Sequence, residues 1–238
     1  MKTIELYGQK YRQIEPEILN NGIIPLTYWT VTPNFGDLLS PYLIEKLSGK
    51  KVKHTYLKPG NLRKPYKGRK HKTTPSYFAV GSIASRTNNH SIVWGAGTFG
   101  TEIEKDLKNE AKYLAVRGPL TRNMIRIHGG ECPEVYGDPA LLIPGIYSPS
   151  ITKTHEIGLI VRWPEADWAS KQVDDNIKII NFGTSKIEPT LDAILSCNKI
   201  ISSSLHGIIL ADAYNIPSAW LTSDTPKGLE HKFYDYFL

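Results

Sequence analysis

The chain has 238 residues, 40% hydrophobic and 22% charged, which is enough apolar material for one large globular unit or two modest ones. No run approaches the roughly 18 to 20 apolar residues that span a bilayer, and the start, Met1 to Tyr7, carries an acid where a signal peptide would be continuously apolar. Cys132 and Cys197 lie far apart without metal-ligand spacing, so a cytoplasmic protein with two reduced thiols, no disulfide and no metal site is expected.

The net charge of +6 is unevenly distributed. Between Lys46 and Thr101 there are twelve Lys or Arg and no acid, so the remainder of the chain sums to −6. The densest part, Lys58 to Lys72, also contains Pro59, Gly60, Pro65 and Gly68 and reads as a basic loop. It is either a solvated loop or an attractor of anions such as a phosphorylated substrate, a lipid diphosphate or an acidic membrane surface. Nucleic acid is not expected, because aromatics there are sparse and no recognised nucleic-acid motif is present.

In chain order, short β-branched runs alternate with helical stretches, the pattern of parallel βαβ units. Ile24–Val31 reads as a strand leading through Thr32–Asp37 into a helix over about Leu38–Leu47, whose Leu39, Tyr42, Leu43 and Leu47 share one face. Strands are expected near Tyr77–Val80, Ser91–Trp94 and Tyr113–Val116, then a helix opening at Pro119 and running to about His128. After a connector at Pro144–Thr154, a second series offers strands at Ile157–Val161, Ile177–Asn181, Lys199–Ser202 and Ala219–Leu221. Helical composition fills Asp167–Asp175, Glu188–Ser196 and Leu205–Tyr214. The fold class is therefore α/β, with two Rossmann-like halves built on parallel sheets. Their boundary falls near residue 150, giving 1–150 and a smaller 151–238.

Ligands of open parallel sheets bind beyond the carboxyl ends of the strands. The polar residues there are Asn34, Asp37, Arg117, Arg162 and the Ser202–His206 segment. Ser202-Ser-Ser-Leu-His206 ends a strand and opens an apolar helix, so its hydroxyls and free N–H groups either cap the helix or hold an anion. His206 either packs on the neighbouring strand or donates a proton. Arg117-Gly118-Pro119 places a planar cation at a helix mouth, suited to a carboxylate or phosphate or to a surface ion pair. Asn34 and Asp37 either cap a helix or orient a sugar hydroxyl. Trp94-Gly-Ala-Gly-Thr98 lacks the full dinucleotide fingerprint, and no P-loop, His-Glu-x-x-His or Gly-x-Ser-x-Gly occurs.

Four segments in order, Asn34-Phe-Gly-Asp37, Arg117-Gly-Pro-Leu-Thr121, Tyr136-Gly-Asp-Pro-Ala-Leu-Leu142 and Ser202-Ser-Ser-Leu-His-Gly-Ile-Ile-Leu-Ala-Asp-Ala213, make the chain resemble the polysaccharide pyruvyltransferases of capsule and exopolysaccharide synthesis. The resemblance implies a GT-B-like pair of halves, acceptor side first and donor side second. It also implies phosphoenolpyruvate as donor, with no other cofactor, and a pyruvate ketal on a sugar or lipid-linked oligosaccharide. By position, His206 resembles the donor-site histidine and Arg117 the anion-binding arginine, while Ser203, Ser204 and Leu205 fall where the donor is held. Some relatives carry an arginine at the position of Ser204, and Arg162 and Lys232 are the candidates to replace its charge. Asp37, supported by Asn34, is the expected acceptor-side group, and a peripheral contact with an anionic membrane surface stays open. Relatives run on beyond Phe233–Leu238 into a further helix, so either the sequence stops short of a crossover helix or this member lacks one. Two other readings share features of the chain: a nucleotide-sugar glycosyltransferase with the same architecture, and a polyanion-binding protein that uses the basic loop.

Overall fold

A computed structural model describes residues 3–6, 9–12, 22–29, 33–54, 75–107, 111–171, 174, 176–222 and 230–238. The basic loop at 58–72 lies outside the described residues. A hairpin of β1 (Thr3–Leu6) and β2 (Gln9–Arg12) precedes the main body. Five parallel strands follow: β3 (Ile23–Thr27), β4 (Lys51–His54), β5 (Ser76–Phe78), β6 (Ser91–Trp94) and β7 (Lys112–Ala115), in the spatial order β4-β3-β5-β6-β7. The second sheet is also parallel, with β8 (His155–Val161), β9 (Ile177–Asn181), β10 (Cys197–Ser202) and β11 (Ser218–Trp220) in the order β11-β10-β8-β9. The expectation of two parallel-sheet α/β halves is met.

Each order has one switch point, where successive connections leave to opposite sides of the first strand. In the first sheet it lies between β3 and β5, and in the second between β8 and β10. Crevices for ligands open at such points. The helices that line them are α1 (Phe35–Ser48) after β3 and α6 (Leu205–Ala213) after β10, with α2 (Glu104–Leu107), α3 (Pro119–Ile127), α4 (Ala166–Ala169) and α5 (Ile187–Leu195) elsewhere.

The halves share a core. Phe35, Leu39 and Leu43 of α1 and Val80 belong to one buried cluster with Ile160, Ile180, Leu191, Ile194, Ile208 and Ile209 of the second half. Phe35 N–H donates to the Phe182 carbonyl at 2.9 Å, and the two rings lie 4.4 Å apart. A separate cluster of Phe78, Val93, Leu107, Tyr113, Val116 and Ile125 fills the first half.

Several boundaries differ from expectation. β3 ends at Thr27 rather than Val31, which releases Tyr28 and Trp29 from the ladder. α1 starts at Phe35, three residues early, because the Asn34 side chain caps it by accepting from Gly36 N–H at 3.0 Å. Of the helix expected over 167–175, the described residues place 167–169 at the end of the short α4, which follows a 3₁₀ turn at Trp163–Glu165, and 170–171 in a turn. Another 3₁₀ helix, Pro139–Gly145, runs into the connector and packs on α6. The last residues form a further short helix, α7 (His231–Phe237), which follows the second half and packs on α3 of the first. Seven residues are too few for a helical period to show in the sequence.

Candidate active site

The two switch points face one cavity of about 480 Å³. The first half lines it with Trp29, Asn34, Asp37, Ser82 and Arg86, and the second with Arg162, Phe182, Ser204, Leu205 and His206. Lys232 of α7 completes the wall. Of the residues singled out in the sequence, Asn34, Asp37, Arg162, Ser204, Leu205, His206 and Lys232 meet there.

The Asn34-Phe-Gly-Asp37 turn and the Ser204-Leu-His206 turn pack against each other. Both are strand-to-helix turns, and Gly36 permits their contact. A Cβ built on Gly36 would lie 2.1 Å from His206 Nδ1, far inside van der Waals contact. The imidazole thus rests on the start of α1, while its Nε2 points inward at Asp138 Oδ2, 3.9 Å away. Neither atom has a hydrogen-bond partner. The other oxygen of Asp138 caps the 3₁₀ helix by accepting from Ala140 N–H at 3.0 Å. Burial pushes the His206 pKa down to about 3, with repulsion from Lys232 and Arg117 adding to it. Burial also pushes Asp138 up to about 6, against the opposing Ala140 N–H and Arg117 and with a further rise from Asp235. At neutral pH the pair is therefore a neutral imidazole beside a carboxylate, an arrangement that can hold an added proton on the ring.

Asp37 is raised to about 7 by desolvation, which Lys232 and Arg86 partly oppose. Its Oδ1 sits against Gly81, where a Cβ would approach to 3.1 Å. A carboxyl whose folded pKa lies above its unfolded value costs stability as pH rises through the folded pKa, and the cost is complete above about 7. Asp37→Asn is accordingly expected to raise Tm by a few degrees at pH 8 and hardly at all at pH 4. Thermal melts at the two pH values check this, and an equal shift at both would contradict it.

Arg117 is placed elsewhere than its sequence position suggested. Its side chain is fully buried and does not line the cavity. Nε donates to Asp235 Oδ2 at 3.0 Å, Nη1 to Ser82 Oγ at 2.8 Å and Nη2 to the Thr98 carbonyl at 2.8 Å. The reason is α7, which brings Asp235 to the mouth of α3 just where an external anion would otherwise sit. Ser203 is likewise turned away, with its hydroxyl bonded to Glu165. Glu165 also accepts from Arg162 through Nε at 3.1 Å and through its Nη2.

The cations on the wall are Arg86, Arg162 and Lys232. Arg86, which the sequence reading passed over, lies 4.9 Å above the Trp29 ring. Lys232 is lowered to about 8 by burial, with Arg117 and Arg162 lowering it further and Asp37 and Glu165 opposing. Ser204 makes no side-chain cap at the start of α6, where the first-turn N–H groups of Leu205 and His206 add a partial positive charge. Asp138 and Asp235 were also missed as functional candidates. Asp138 stood in a quoted motif but had no role, and only the α6 contact reveals one. Among the described residues no cluster of three His, Cys, Asp or Glu side chains could hold a metal, and no helix is long and apolar enough to cross a membrane.

Two parallel-sheet halves with opposed switch points, enclosing a cationic cavity that contains a buried histidine, match a Rossmann-like, GT-B-like arrangement. The family model for polysaccharide pyruvyl transferase matches residues 34–225, from the first cavity turn to beyond the last strand, and the chain belongs to that family. The family supports a role in pyruvyl transfer during polysaccharide synthesis. An uncharacterized protein of Acanthamoeba polyphaga mimivirus is 27% identical over 224 residues, which are 90% of this chain and 73% of that protein. A functionally uncharacterized Klebsiella pneumoniae protein of known crystal structure shares the fold with a TM-score of 0.54 at 11% identity, over 91% of this chain and 89% of that one.

Proposed function

We propose that the protein transfers pyruvate from phosphoenolpyruvate to a pair of sugar hydroxyls, forming a pyruvate ketal on an exopolysaccharide or capsule precursor. The observation that carries this reading is the convergence of Arg86, Arg162, Lys232 and the α6 N-terminus on one cavity that also exposes His206 and Asp37. The donor carries a phosphate and a carboxylate, and such cations and helix N–H groups match both.

The reaction follows from these groups. His206, protonated in the donor complex, gives its proton to the methylene carbon of the donor, and the adjacent enol carbon becomes an oxocarbenium-like electrophile. One sugar hydroxyl adds there and loses its proton to Asp37. The bond from that carbon to the phosphate oxygen then breaks, and phosphate departs against Arg162 and Lys232, taking the proton that Asp37 received. The second hydroxyl closes the ketal and returns its proton to the imidazole. The net change is one donor and one diol converted to ketal and phosphate. Asp138 holds the imidazolium from behind, and Asn34, whose Oδ1 is committed to the α1 cap, offers its remaining amide group to the acceptor.

His206 is neutral in the free protein because burial disfavours its charged form and Lys232 and Arg117 add repulsion to a proton there. An anionic donor reverses that field, so donor binding is expected to take up a proton near pH 7.5. Titration calorimetry in buffers of different ionisation enthalpy detects it, and buffer-independent heats would contradict it. Starting from the free protein, reaction needs Asp37 ionised and both His206 and Lys232 protonated, so kcat/KM for the donor should fall as pH rises above about 7 and more steeply above about 8. Lys232→Met should remove the steeper fall. The function itself is tested by thermal stabilisation with phosphoenolpyruvate and by phosphate release across a panel of galactosides, glucosides and mannosides. Stabilisation with sugar-dependent release is expected. A response to nucleotide sugars alone would favour glycosyl transfer, and salt-sensitive polyanion binding without release would favour the polyanion-binding reading.

A further inference from the structure

The most completely buried ion pair among the described residues lies behind the cavity rather than in it. Asp235 is fully buried and accepts three hydrogen bonds from the first half of the chain. Thr121 N–H and Thr121 Oγ donate to it at 2.7 and 2.6 Å and Arg117 Nε at 3.0 Å, while Arg117 Nη2 completes the ion pair at 3.0 Å. Its backbone approaches Gly118 so closely that a Cβ there would lie 1.5 Å from the Asp235 carbonyl oxygen. At the other end of the same helix, His231 Nε2 lies 3.1 Å from Thr98 Oγ1, and its ring covers Gly100, where a Cβ would lie 2.4 Å away. The opposite side of α7 belongs to the second half, with Phe233 stacked on Trp220 at 4.4 Å. Between these two anchors stands Lys232, on the cavity wall.

We propose that α7 is an arm, locked to the first half by the Asp235–Arg117 pair, that delivers Lys232 into the cavity as one of its cations. Arg117 and Asp235 are then positioning residues that act through Lys232, and the strand-end arginine binds no substrate. The physical case has two parts. A guanidinium with Nε, Nη1 and Nη2 all committed to protein acceptors has little left to offer a ligand. A seven-residue helix is too short to hold itself in place, so the location of Lys232 depends on the docking of its ends. The proposal deepens the proposed function by naming what places one donor cation, and it rests on that reading for the identity of the anion.

The test is a double-mutant cycle of Asp235→Asn and Lys232→Met, read as the dissociation constant for phosphoenolpyruvate and, as a second probe, inorganic phosphate. Each single variant is expected to weaken binding by roughly ten- to a hundredfold, the range for losing one charge-assisted contact. The double variant should be no weaker than Lys232→Met alone. Multiplying effects would overturn the proposal, since Asp235 would then act independently of Lys232. Arg117→Gln in the Lys232→Met background should likewise add nothing, whereas a further tenfold loss would return Arg117 to the donor site. A readout independent of the ligand is the titration of Lys232 after reductive methylation with a carbon-13 label. In the wild-type protein it should titrate near about 8, and in Asp235→Asn near the ordinary lysine value. Unchanged titration would overturn the arm even if neither anion bound, an outcome that by itself would count only against the proposed function.

Discussion

His206→Ala is expected to lower sugar-dependent phosphate release by about 10² to 10⁴, the usual contribution of a placed proton-transfer group, while the protein stays folded. The imidazole is the one group on the cavity wall that combines an inward carboxylate partner with a face on the reacting volume. Asp138 waits 3.9 Å behind Nε2, a distance that closes to a hydrogen bond once the ring gains a proton. Removing the ring also eliminates one of the two buried atoms without partners, Nε2, and leaves Asp138 Oδ2 as it was, so little stability should be lost. Gly36→Ala is the companion variant. Its Cβ would enter the ring at 2.1 Å from Nδ1, and a displacement on the order of 1 Å costs about 10² in rate. Stopped-flow or coupled phosphate assays on both variants, with circular dichroism as the folding control, check the prediction. Turnover near that of the wild type in His206→Ala would remove the residue from the chemistry.

Gly118→Ala should have the largest effect on stability. Its added carbon would meet the Asp235 carbonyl oxygen at 1.5 Å, and since that atom is backbone, no side-chain rotation relieves the clash. Gly118 itself is in extended conformation, with φ −160°, so alanine carries no intrinsic strain there and the effect isolates the docking of α7. If the helix lifts away, Arg117 is left buried without its carboxylate, a loss of about 3 to 5 kcal/mol for breaking a buried pair. The same event withdraws Lys232, so donor affinity falls together with stability. Denaturant unfolding and donor titration of the one variant measure both. A midpoint close to the wild type, with full donor affinity, would show that α7 accommodates the carbon by some other route.

Most of the architecture was legible because strands in a doubly covered parallel sheet are nearly continuous apolar runs. Ser91–Trp94 and Ile177–Asn181 fell where expected to the residue. The site was legible to the extent that it is made of strand-to-helix turns, which is why Asn34, Asp37, Ser204 and His206 could be named together. What escaped was whatever depends on a contact distant in sequence. Arg117 read as either an anion-binding cation at a helix mouth or half of a surface ion pair, and nothing local announces that Asp235, 118 residues later, fills that mouth. Arg86 escaped because it ends a short 3₁₀ turn with no pattern of its own, and Asp138 because its visible task is to cap the turn that begins at Pro139. Gly36 and Gly118 stood inside quoted motifs, but the need for glycine arises at the far side of each contact, in His206 and in the backbone of α7.

The most direct measurement follows donor carbon into product. Phosphoenolpyruvate labelled with carbon-13 at the enol carbon is incubated with the protein and the sugar panel, and the label is observed by nuclear magnetic resonance. Pyruvyl transfer is expected to replace the enol signal, in the presence of one class of acceptor, by a quaternary ketal signal coupled to the sugar, with phosphate released in equal amount. Persistence of the enol signal with every acceptor, or its conversion only to free pyruvate regardless of sugar, would contradict it.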